Sequence, residues 1–185
     1  MSALKCFMLS ETDQIARWLR RYNSQQRCPS GAYHSATSQI ANINRPAHII
    51  DDDYWSHDDT RWPIACPCGY RFRDNDGWQL FTLRLFTMPD GSSVVLHDSP
   101  PSGVTRAPPG AMWFSSWCPG PKKHAGPYLW VMVPDGGGAW CIDGSSDNGP
   151  GWDRVGEPPN VTVTPSILCT GKYHGWLMDG EFNVA

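Results

Sequence analysis

Apolar residues recur with two different periods along this 185-residue chain, and each period predicts a different kind of element. Near the start, Ile15, Trp18, Leu19 and Tyr22 fall at i, i+3, i+4 and i+7, behind Ser10 as an N-cap with Asp13 three residues on. That spacing predicts an amphipathic helix over residues 11–22, with Arg17, Arg20 and Arg21 on its other faces. From residue 78 the period becomes two. Residues 78–88 put Phe81, Leu83 and Leu85 on one face of a strand, Pro89-Asp90-Gly91 turns the chain, and residues 94–97 return as its partner. The same device recurs in residues 128–133, a turn over 134–138, and residues 139–143, because Pro presets one dihedral and Gly accepts positive φ. Residues 161–164 form a β-branched strand, and Asp179-Gly180 within residues 176–182 is the strongest hairpin signal in the chain.

The remaining stretches are irregular. Residues 28–59 read as a long loop or extended arm, residues 99–110 as a stiff Pro/Gly connector, and residues 144–151 as a surface loop. The fold class expected is therefore mainly β (α+β), with small antiparallel sheets and hairpins and one N-terminal amphipathic helix. Two regions are expected: residues 1–60, carrying the helix and the arm, and residues 61–185, a β-rich metal-binding domain.

Composition sharpens this picture in one direction. Ten Trp, seventeen Pro and eighteen Gly, with charged residues at 18%, describe short strands and many tight turns stiffened by large aromatics. A net charge of −3 leaves no basic face for nucleic acid. No stretch reaches the length of a membrane span. Residues 1–8 are too short and too weakly apolar for a signal peptide, so a reducing cytoplasm is expected. Asp51, Asp52, Asp53, Asp58 and Asp59 lack the glycine-punctuated order of a calcium loop and read as solvated surface.

The chemistry concentrates in Cys66-Pro67-Cys68-Gly69. Two thiols with one residue between them, followed at once by glycine, present two soft ligands from one tight turn. The expected second half of a zinc site is the Cys169/His174 pair, which flanks a turn bearing Gly171. Two further Cys/His pairs, Cys28 with His34 and Cys118 with His124, also look more like metal chemistry than a disulfide framework. Packed thiols are the competing explanation for Cys66 and Cys68.

Several of these motifs together resemble a known group. The segments CPCGYRF, PPGAMWFSSW and WCID, and above all PPNVTVTPSI followed by YHGWLMDGEF, are similar to an uncharacterised domain family of tailed bacteriophages and prophages that has bacterial cousins. The match runs from about residue 62 to residue 182. The resemblance implies a Cys-x-Cys-Gly turn at Cys66, Cys68 and Gly69, and a C-terminal segment at Pro165, Ser166, Ile167, His174 and Gly175. It also implies a cysteine ahead of the histidine as a zinc ligand. Cys169 is the matching residue, at a longer spacing than the family's, so Cys118 or His124 stands as the alternative ligand.

A structural zinc has four protein ligands, while a catalytic one keeps a position open and needs a base nearby. The deaminase and His-Glu-x-x-His signatures are absent, and Ser166, with His174 and Asp179 as triad partners, lacks a nucleophile elbow. The function expected is that of a non-enzymatic phage protein, a zinc-stabilised β-rich module for binding or assembly. Its partner would be a virion component or a host protein, and its place the host cytoplasm or the particle. The alternative is a small zinc hydrolase using Cys66, Cys68 and His174 with Asp179 or Glu181 as base. Trp62, Trp78, Trp113, Trp117, Trp130, Trp140, Trp152 and Trp176 are expected mostly in the core, with Trp117 the one expected at the surface.

Overall fold

The computed structural model describes residues 3–44, 57–96, 107–118, 126–144 and 151–185. Its described residues form strands and no helix. In chain order the first six are β1 (Leu4–Lys5), β2 (Phe7–Met8), β3 (Ser10–Arg27), β4 (Tyr33–Asn44), β5 (Gly77–Thr87) and β6 (Ser93–Leu96). The others are β7 (Ala111–Ser115), β8 (Tyr128–Val133), β9 (Gly138–Cys141), β10 (Asp153–Val155), β11 (Thr162–Cys169), β12 (Tyr173–Met178) and β13 (Glu181–Val184). By contacts the chain forms two compact units, Thr12–Leu85 and a second made of Met1–Glu11 with Phe86–Ala185. The expected division after residue 60 is therefore not where the units part.

The larger unit, containing residues 86–185, carries a five-stranded sheet in the order β1-β13-β12-β11-β10 and a four-stranded one in the order β2-β7-β8-β9. Leu129, Val131 and Val133 of β8 pack with Val163, Ile167, Leu177 and Phe182 of the five-stranded sheet in one apolar cluster. The alternate residues Tyr128, Trp130 and Met132 join a second cluster with Trp113, Phe86, Val94 and Leu96. Both faces of β8 are thus buried, and all six of its residues are. The expected hairpins form: Asp135 (φ 54°) and Gly136 (φ 73°) turn β8 into β9, and Asp179 (φ 46°) and Gly180 (φ 73°) turn β12 into β13.

The smaller unit corrects the helix expected at residues 11–22. That segment lies inside β3, which pairs antiparallel with β4 and sits between β4 and β5. A strand places Ile15, Arg17, Leu19 and Arg21 on one face, and all four are buried. The two arginines that a helix would have sent to solvent each find partners inside the unit, although the buried Nε of Arg21 makes no hydrogen bond. Arg17 donates to the hydroxyl of Thr82, and Arg21 donates to the carbonyl of Arg73 while its guanidinium lies 3.5 Å over the ring of Trp78. Apolar spacing that fits a helical turn also fits a strand when charged residues occupy its inner face.

Much of the expected arm is ordered structure. Residues 33–44 are β4, and residues 57–76 cover the face of the sheet that carries Arg21: Ser38 donates to the carbonyl of Arg61 (2.6 Å), and Asn23 to the hydroxyl of Tyr70 (3.0 Å). Asp51, Asp52 and Asp53 lie outside the described residues. Asp59 is engaged by Arg61 at 2.6 Å, a surface ion pair.

Candidate metal centre

Two turns of the smaller unit supply the donors. Where β3 leaves the sheet, the N–H of Cys28 donates to the carbonyl of Ala32 (2.6 Å) and the N–H of Gly31 to the carbonyl of Cys28 (2.9 Å), so the chain reverses within five residues. Gly31 has a φ of 85°. His34 follows as the second residue of β4, opposite Asn23. Cys28 and His34 therefore flank one hairpin turn.

The second turn is Cys66-Pro67-Cys68-Gly69. The N–H of Cys66 donates to the carbonyl of Tyr70 and the N–H of Gly69 to the carbonyl of Cys66, both at 2.8 Å, and Ala65 and Arg71 bridge beneath. Gly69 has a φ of 93°, which side chains rarely adopt. Its N–H closes the turn, and the backbone N–H groups of Cys68 and Ser35 address the sulfur of Cys66.

These turns meet. Cys28 Sγ lies 3.1 Å from His34 Nδ1, 3.4 Å from Cys66 Sγ and 3.5 Å from Cys68 Sγ, and Cys68 Sγ is 3.2 Å from His34 Nδ1. All four donor atoms fall within 4.8 Å of one another. Zinc–sulfur bonds of about 2.3 Å in a tetrahedron place two thiolates about 3.7 Å apart, so the cluster has the dimensions of a four-coordinate site. It can hold a metal ion. Among the described residues it is the one group of His, Cys, Asp or Glu so arranged, and no carboxylate belongs to it.

Electrostatics separate the thiols. Burial pushes the thiol of Cys66 up, but the N–H of Cys68, His34, the N–H of Ser35 and Cys28 outweigh it and bring it down to about 6. Desolvation, then the thiols of Cys66 and Cys68, push Cys28 up to about 12. A divalent cation would displace the protons that these thiols otherwise carry.

Behind the donors lies a supporting network. His34 is buried and stacks on Tyr70, ring centroids 4.1 Å apart and planes at 13°. The hydroxyl of Tyr70 donates to Asp76 Oδ2 (3.1 Å), which also accepts from the N–H of Arg73 (2.8 Å), while Asn23 donates to Asp76 Oδ1 (2.7 Å). Burial pushes the buried Asp76 carboxyl up, but these donors and Arg21 outweigh it and hold the group below its ordinary range.

The partners expected from the C-terminal segment do not join this cluster. Cys169 pairs with Tyr173 across β11 and β12 and both are buried, whereas the next pair, Leu168 and His174, is exposed. Successive strand residues point to opposite faces, so Cys169 and His174 cannot chelate one ion together. Cys169 Sγ lies 3.7 Å from the carbonyl of Gly137, and burial raises its thiol against the opposing charge of Lys172. His174 Nε2 is 3.3 Å from Ser166 Oγ. Asp179 is five residues from His174 at the other end of β12, about 16 Å along an extended strand, so no triad forms. Glu181 lies beyond the same turn, across from Met178. Cys118, the alternative ligand, is joined to Cys141 in a disulfide, a correction to its reading as metal chemistry. His124 lies outside the described residues.

What sequence reasoning passed over was Cys28 and His34 as the completing pair. The signal was present: a Cys and a His six residues apart around Pro29-Ser30-Gly31, a turn of the same kind as the one at Cys66. Comparison of the chain with protein-family models, with curated proteins and with solved structures finds no match.

Proposed function

We propose that this protein is a non-enzymatic binding or assembly module whose smaller unit is clipped by a structural zinc ion on Cys28, His34, Cys66 and Cys68. The observation that supports it is the donor count. Four protein donors of one tetrahedral set, three sulfur and one nitrogen, fill the coordination sphere of zinc and leave no position for a water nucleophile. The hydrolase alternative needs an open position and a base, and its carboxylates, Asp179 and Glu181, belong to the larger unit.

For the binding role, the surface that fits is the outer face of the five-stranded sheet. Trp176 (42% exposed), Met178 (52%) and Leu168 (58%) form an apolar stripe there, beside His174 and Asn183. Exposed Trp and Met are enriched in protein-binding patches, and Glu181 and Lys5, which follow across from Met178, place charges at the edge of this one. The partner is a protein. The family resemblance suggests a tailed bacteriophage as the setting, with synthesis in the host cytoplasm and incorporation into the particle, where the disulfide Cys118–Cys141 is stable away from cytoplasmic reductants.

Elemental analysis with native mass spectrometry tests the centre. Wild-type protein is expected to carry about one zinc per chain. Cys66→Ser and His34→Ala should lose it together with the thermal stability of residues 12–85, whereas His174→Ala should keep it. Protein that takes up no zinc under reducing conditions would remove the reading.

A further inference from the structure

The seven cysteines of the chain fall into three chemical states. Cys118 and Cys141 form a disulfide, and Cys6 and Cys169 are buried thiols, Cys6 pushed up to about 12 by burial and by the charge of Glu181. The remaining three converge on one point, and one of them, Cys68, is exposed. Resting on the metal reading above, we propose that this centre is a redox-gated clip: a hydroperoxide oxidises Cys68, Cys28 resolves it as a Cys28–Cys68 disulfide, and the metal leaves.

Geometry and access carry the step. Cys28 Sγ stands 3.5 Å from Cys68 Sγ and 3.4 Å from Cys66 Sγ, so distance alone does not choose between them. Exposure does. Cys66 is 6% exposed and held beneath its turn, while Cys68 faces solvent next to Pro67 and Gly69. Forming a bond of about 2.05 Å requires the Cys28 and Cys68 sulfurs to close by about 1.5 Å, a shift within the reach of side-chain rotation at two turns.

The chemistry balances in two steps. The sulfur of Cys68 attacks the terminal oxygen of the hydroperoxide: an S–O bond forms, the O–O bond breaks, and the departing alkoxide takes a proton and leaves as an alcohol. Cys68 is then a sulfenic acid, oxidised by two electrons, and the peroxide is reduced by two. The thiolate of Cys28 next attacks the sulfur of Cys68; the S–S bond forms, the S–O bond breaks, and hydroxide leaves and takes a proton as water. Two thiolates, one hydroperoxide and two protons become one disulfide, one alcohol and one water. The metal keeps only His34 and Cys66 as donors and is released.

The two states share one constraint. Metal and disulfide both tie the turn after β3 to the turn at residues 66–69, across 40 residues of chain, so oxidation removes the ion without untying the hairpins. Loss of metal is therefore expected to leave the smaller unit folded, unlike loss of metal through chelation.

The test uses the full-length, zinc-loaded chain and hydrogen peroxide. Zinc release is followed with a chromogenic chelator, and disulfides by peptide mapping under acid quench. Expected are release of the bound zinc, a mass lower by two hydrogens, a Cys28–Cys68 cross-linked peptide, an unchanged Cys118–Cys141 peptide, and re-uptake of zinc after thiol reduction. In Cys28→Ser the resolving sulfur is gone, so a sulfenic acid at Cys68 should become trappable with dimedone; the wild-type map decides the matter if this variant does not fold. Zinc that stays bound through peroxide treatment, or leaves with Cys68 overoxidised and unlinked to Cys28, overturns the gate and leaves the metal reading standing. A chain that never takes up zinc overturns both.

Discussion

Cys68 and Cys66 are two residues apart, yet one is exposed and the other buried, and that difference sets what each contributes. The buried thiol receives the backbone N–H groups and is brought down to about 6. Its replacement by Ser should cost more than that of Cys68, because an unmatched donor shell is left in the interior. Asp76 acts one layer back, through Tyr70, on the plane of His34. Its folded-state carboxyl lies below the ordinary value, so its contribution to stability is complete above about pH 4 and is lost as pH falls through the folded value. Asp76→Asn should lower stability by about 1–3 kcal/mol at neutral pH and flatten the acid limb of the unfolding curve, as read by denaturant melts across pH. Gly69→Ala meets no atom but forces a side chain into positive φ, for a cost of about 1–2 kcal/mol, measurable as a lower melting temperature of the zinc-loaded protein.

At the scale of elements, β3 is the instructive case. Its apolar residues satisfy a helical spacing and a strand spacing at once, and the tie is broken by Arg17 and Arg21. Their burial depends on Thr82, the carbonyl of Arg73 and the Trp78 ring, all more than 50 residues away, so no local window contains the information. Arg21→Leu keeps volume and removes a buried charge; it should be tolerated far better than Arg21→Ala, which opens a gap against Trp78, and comparison of the two melting temperatures checks this. The hairpins, by contrast, were legible. Asp135-Gly136 and Asp179-Gly180 adopt the positive φ values their residue types favour, because a turn of two residues is decided locally. Trp117, expected at the surface, is 37% exposed; the exposure of Trp176 was not legible, since it depends on which face of β12 meets the core.

For the whole molecule, the two units make different demands. The larger has two apolar clusters and a disulfide, while the smaller rests on β3, β4 and β5 of a four-stranded sheet, with a covering segment that meets them at the Cys/His cluster. Chelation should therefore act unequally. With a strong chelator under reducing conditions, hydrogen exchange is expected to rise across residues 12–85 and to change little across residues 126–185, and calorimetry should resolve two transitions where the zinc-loaded protein melts later. Uniform loss of protection would contradict this division. Substituting Trp176 and Met178 together by Ser should leave both transitions in place and abolish association with the protein partner, as read by co-purification against wild type.

The amino-acid sequence by itself determined the β class, the turns and the candidacy of Cys66 and Cys68 as metal ligands, because each follows from spacing and residue type over a few positions. It also contained three Cys/His pairs able to complete the site. Only tertiary structure chose among them, since donors must converge within a few ångströms, and that depends on which turns the sheets bring together. Pairing β3 with β4 carried Cys28 and His34 to the Cys66 turn, and the two-residue period of β12 turned His174 away from Cys169. Chelation is a property of three-dimensional distance, and sequence spacing constrains that distance only within a single turn.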